Sequence, residues 1–149
     1  MHGWLSKMIN NNILINYLPK QIAENLKQSD YQEILEWFID DEINKTEYAQ
    51  YISMLACIEN NIELHLLAQS IYYLHFNWVE NAYQLAYFHY WKALEIEKFS
   101  NEENLESFLL IVDDPNFYMV KGEDITFIKE KLKKLNPSNE TLFVKFRNL

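Results

Sequence analysis

The sequence predicts an all-α fold: a single compact domain over residues 1–149, built from about seven or eight mostly antiparallel helices. Three observations carry this. Apolar residues recur at helical spacing through most of the chain. The 149 residues include only 2 Gly and 3 Pro, where average usage would give about ten and seven. Hydrophobic residues make up 49% and charged residues 23%, a balance that supports a buried core and not a disordered chain. Gly3 and Gly122 cannot supply the turns of an all-β fold or the clustered glycines of a phosphate loop. Rossmann and P-loop chemistry are excluded with them.

Taken in order, the elements read as follows. Trp4 to Leu18 is weakly patterned and rich in Asn. Pro19 suits the first turn of a short helix to Gln28. Ser29 or Asp30 caps a helix over Tyr31 to Asp40, with Gln32 and Glu33 as capping-box partners. Asp41 to Lys45 forms a loop, and Thr46 caps a helix to Glu59. Asn60-Asn61 breaks the chain and caps Ile62 to Phe76. A bend near Asn77 precedes a long helix from Val79 to Lys98. Ser100 or Asn101 caps Glu102 to Val112, with Glu102 and Glu103 well placed against the helix dipole. Asp113 to Asn116 is a loop. A last helix opens at Gly122 to Asp124, carries Lys131, Lys133 and Lys134 near its end, and is stopped by Pro137. Thr141 to Phe146 suits either a short strand or one more helical turn.

Links of two to five residues make neighbouring helices antiparallel. Ile62 to Phe76 is apolar on every side, which marks a central helix. With its aromatic follower it predicts a core hairpin over 62–97. Ala86, Tyr90 and Ala93 resemble part of a tetratricopeptide repeat, but no second copy stands at a 34-residue period. A short stack of helical hairpins, similar to HEAT repeats, remains an expected arrangement.

Chemistry is sparse. Cys57 is the only cysteine, which rules out an intramolecular disulfide, and its neighbours predict a buried, inert thiol. His65, His75 and His89 lack helical metal-pair spacing, and no HExxH or Glu-x-x-His motif is present. The sequence predicts no catalytic residue, no cofactor and no metal. The longest charge-free stretch, Leu64 to Val79, has 16 residues, short of the ~20 that a span needs. The start lacks a signal-peptide pattern. A soluble, cytoplasmic chain that makes no membrane contact is expected.

Charge is unevenly placed. The net charge is −9 and the pI about 4.9, which argues against direct nucleic-acid binding. Residues 31–120 carry 16 acids against Lys45, Lys92 and Lys98, a net −13. Such a field speeds association with a basic protein. On the Tyr31–Asp40 helix, at 100° per residue, Trp37 falls with Glu33, Glu36 and Asp40 and away from the core side. Asp41 and Glu42 follow. An exposed Trp among carboxylates suits a partner-binding hot spot. Glu102, Glu103 and Glu106 form a second candidate acidic edge beside Leu110. Lys129, Lys131, Lys133 and Lys134 make the one basic patch, which also suits a solvated amphipathic face.

A small, acidic, motif-poor helical chain of this kind resembles the bacterial immunity proteins that accompany contact-dependent toxins. The resemblance is one of general character. It implies inhibition of a basic partner, typically a nuclease toxin, by covering its surface. The leading contacts would then be Glu33, Glu36, Trp37, Asp40, Asp41 and Glu42. Two other readings stand beside it. One is a ligand-binding or enzymatic protein with a pocket in the 62–97 hairpin and His65, His75 or His89 as its polar group. The other is a nucleic-acid mimic.

Overall fold

The computed structural model describes residues 15–40 and 44–146. Within them lie seven α-helices and no strand. They are α1 (Lys20–Lys27), α2 (Tyr31–Ile39), α3 (Thr46–Glu59), α4 (Ile62–Ser70), α5 (Ala82–Ile96), α6 (Glu102–Val112) and α7 (Gly122–Leu135). Short 3-10 turns occupy Ile15–Tyr17 and Glu140–Phe143. Most of the weakly patterned N-terminal stretch lies outside the described residues.

Side-chain caps explain several boundaries. Asp30 accepts the Glu33 N–H at 3.3 Å, Asn61 that of Leu64 at 3.0 Å and Asn101 that of Asn104 at 3.0 Å. Each satisfies a donor that the helix itself leaves unpaired. Asn60 takes a left-handed turn at φ 50°, so of two adjacent asparagines one ends α3 and the other starts α4. The expected cap at Thr46 is displaced: Lys45 precedes α3 and Thr46 is its first residue. The expected helix from Val79 starts later, at Ala82, because Asn81 turns left-handed at φ 65°. The 141–146 tail contains the 3-10 turn and not a strand.

The helix expected over 62–76 changes character midway. Residues Ile71–His75 form a π-helical turn, closed by the Phe76 N–H on the Ile71 carbonyl at 3.0 Å. A π turn advances each residue less around the axis than an α turn does. Ile71 and Tyr72 stay buried, while Leu74 swings outward to 54% exposure.

α4 and α5 pack most extensively, as the hairpin reading expected. Leu64, Leu67, Ala68, Ile71, Ala86, Tyr90 and Leu94 fill their seam. α3 covers one flank of α4, and α2 covers another together with the π turn. α6 and α7 close the far side, with Leu105, Phe108, Leu109, Ile128 and Leu132 fully buried. Most helices pack chiefly on their neighbours in sequence, while α2 reaches past α3 to α4 and the π turn. None is long and apolar enough to cross a membrane among the described residues.

Candidate functional site

The predicted acidic face divides on inspection. Glu36 and Asp40 are exposed on α2, and Gln32 donates to the Glu36 carboxylate at 3.3 Å. Glu33 is half-buried in the first turn. Trp37 is a correction: it is half-buried and packs against the core instead of standing free among the acids. The helical wheel placed it on the acidic side, but its large ring reaches back over neighbouring apolar side chains. Asp41 and Glu42 lie outside the described residues.

The exposed tryptophan near this face is Trp78, at 72% exposure. Its ring meets Phe76 edge-on at 6.0 Å, and Phe76 meets Phe38 of α2 at 5.8 Å. That line of rings brings Trp78 towards the C-terminal end of α2, where Ile39 is 46% exposed and Asp40 follows. Helical periodicity could not find Trp78, because it sits in the turn after the π segment.

α2 and α4 run side by side in the same direction. Tyr31 and Leu35 lie level with Glu63 and Leu66, and Phe38 lies level with His75 and Phe76. Between them is a groove of about 230 Å³, lined by Tyr31, Gln32, Leu35, Glu63, Leu66, Leu67 and Ser70. Its floor is leucine and its edge carries the exposed Glu63. Residues 28–44 and 46–91 contain no Lys or Arg, so neither wall offers an internal cation. The ion pairs among described residues join Lys27 to Glu24, Lys92 to Glu95 and Lys121 to Glu123. None draws on Glu33, Glu36, Asp40 or Glu63.

The second acidic edge faces inward. Glu102 accepts from Asn136 at 2.7 Å and Asn139 at 2.8 Å. Glu106 accepts from the Thr141 hydroxyl at 2.9 Å. The Asn136 and Asn139 amides hold the Glu102 carboxyl below its ordinary range. These two acids fasten the C-terminal turn to α6, leaving Glu103 exposed. The chief packing partners of α2 and α6 are different elements, so the two edges are not brought together.

The histidines form a different constellation. His89 is fully buried on α5 and His65 nearly so on α4. Their Nδ1 atoms lie 2.8 Å apart, and the Ser53 hydroxyl of α3 meets His89 Nε2 at 2.5 Å. Burial, then the neighbouring His65, pulls the His89 imidazole down to about 4. Burial, then the Lys92 charge, also lowers His65. Serine–histidine–histidine contact resembles part of a nucleophile relay, but Ser53 lies inside α3, whose backbone N–H groups bond within the helix. Ser53 is half-buried on α3, and apolar side chains fill the α4–α5 seam beside the two rings. No group of three or more His, Cys, Asp or Glu could hold a metal among the described residues.

Cys57 is a further correction. It is exposed on α3, not buried, although partial desolvation still pushes its thiol up.

No family model matches the chain, and no curated protein or solved structure matches it either.

Proposed function

We propose that the chain is an acidic binding protein that grips and neutralises a basic protein partner. A bacterial immunity protein occluding a cognate nuclease toxin is the concrete form of this reading. The observation that carries it is the juxtaposition along α2 and α4. Exposed Glu36, Asp40 and Glu63 stand there with no lysine paired to them among the described residues, on the same elements and adjoining turns as the exposed apolar Ile39, Leu74 and Trp78. Carboxylates in such a field steer a cationic partner and raise its on-rate. Apolar side chains that leave water at the centre of the contact supply most of the affinity. Occlusion needs no chemistry from the inhibitor, which fits a chain without a recognised catalytic motif.

The experiment is capture followed by rescue. Immobilised chain is exposed to lysate of its own source at low salt, and retained proteins are identified. A basic protein is expected, released by about 0.5 M salt because screening shortens the reach of exposed charges to a few ångströms. Expressed alone that protein should arrest growth, and co-expression of this chain should restore it. Asp40→Lys with Glu36→Lys should abolish both capture and rescue. Rescue untouched by that double change would remove this face, and a retained protein that is not toxic would remove the immunity reading.

A further inference from the structure

We infer that the α2–α4 groove receives a basic amphipathic helix of the partner, laid along Leu35 and Leu66 with its cationic flanks against Glu36, Glu63 and Asp40. This rests on the basic-partner reading above and adds the shape of what is recognised.

Three features point to a helix. The trough is formed by two helices lying in one direction, a geometry into which the ridge of a third helix fits. Its lining includes Leu35, Leu66 and Leu67, and beyond Ser70 the π turn exposes Leu74. This lengthens the apolar strip towards Ile39 and Trp78. The lining runs along α4 from Glu63 to Ser70, about 10 Å at 1.5 Å per residue. That accommodates about two turns, enough for anchors at i, i+3 or i+4, and i+7.

Charge chooses the occupant. No Lys or Arg lies on α2, α4 or the π turn. A neutral apolar helix would leave three carboxylates beside it poorly hydrated, and an acidic one would be repelled. Lysine and arginine can lay their aliphatic stems on leucine while keeping the charged head at a carboxylate.

The test uses a fluorescein-labelled 15-residue peptide of Leu and Lys with Leu at i, i+3, i+4 and i+7. A scrambled peptide of the same composition is the comparison, and binding is read by anisotropy at 50 mM salt. The patterned peptide should bind at least tenfold tighter. The uncharged changes Leu74→Ser and Trp78→Ala should each weaken it severalfold, and Glu63→Lys tenfold. Leu110→Ser, at another exposed leucine on α6, should change nothing. All four positions are exposed, and circular dichroism checks that each variant remains folded. Equal binding of the two peptides, lost only to charge reversal, would overturn the groove while leaving the basic-partner reading intact. Absence of binding by either peptide would overturn both. A dimer of the chain that Leu74→Ser dissociates would assign the groove to a second copy and also overturn the proposal.

Discussion

His65 and His89 meet Nδ1 to Nδ1 at 2.8 Å inside the molecule, so one ring must donate and the other accept. If His89 donates, its Nε2 is bare and accepts from the Ser53 hydroxyl. If His65 donates, His89 Nε2 carries the proton and Ser53 accepts. In both arrangements His65 Nε2 is buried with no partner. The pair is therefore built for two neutral rings: two cationic rings would place like charges in contact and away from water.

Acid should weaken the fold through this pair. An unfolded histidine takes up a proton near 6.5, whereas His89 resists until about 4. Below pH 6.5 the unfolded chain thus binds the extra proton. Stability falls by up to about 1.4 kcal/mol per pH unit per histidine until the folded ring titrates. Imidazole NMR should find His89 neutral at pH 5. A ring already protonated at pH 6 would refute this. Replacing both rings by Leu should flatten the drop in urea-unfolding stability between pH 6.5 and 4.5.

Lys98 and Phe99 are consecutive left-handed residues, at φ 57° and 54°, in the turn between α5 and α6. Only glycine occupies that region without cost. Lys98 is exposed, so Lys98→Gly should stabilise the chain by about 0.5–1 kcal/mol, raising Tm by about 1–4 °C. Phe99 differs, because its ring meets Trp91 at 5.5 Å and Phe127 at 4.9 Å. Phe99→Gly should lower Tm despite relaxing the same backbone strain. Calorimetry on the two variants reads the contrast.

Asn139 ties the C-terminal turn to α6 through Glu102, while its own side-chain oxygen accepts the Thr141 N–H at 2.9 Å. Asn139→Ala leaves that buried N–H and the Glu102 carboxylate short of partners. The expected loss is about 1–3 kcal/mol. Amide exchange should speed up across 140–146 before it does in α4 or α5. Uniform loss of protection would contradict a local clasp.

Cys57 should react fully with a disulfide reagent in the folded protein, one thiol per chain, without denaturant. The rate should fall short of that of a free cysteine, because desolvation disfavours the thiolate. A thiol that reacts only in urea would restore the buried placement.

The sequence made the helices legible and the surfaces less so. Thr46–Glu59 and Glu102–Val112 carry their boundaries in asparagines, prolines and acids placed at helix ends, and those signals act over three or four residues. Trp37, Cys57 and the histidine pair depend on what packs against them from a distant helix. The wheel gave Trp37 an azimuth but no neighbour, so the exposed ring proved to be Trp78. His65 and His89 are 24 residues apart, and no local pattern joins them. The π turn was hidden for a different reason: its residues are as apolar as those of a regular helix, and the irregularity lies in which carbonyl each N–H chooses.

Because most helices lean on a neighbour along the chain, and α2 skips only α3 to reach α4 and the π turn, assembly can proceed largely by accretion. Each segment closes only a short loop before it gains apolar cover, which keeps the entropic barrier low and refolding fast. A polypeptide emerging from its N-terminal end can bring α1 to α5 together before α7 has been made. The central pair would then be sheltered early, and the carboxylates of α2 and α4 would already be standing in water to receive a cation.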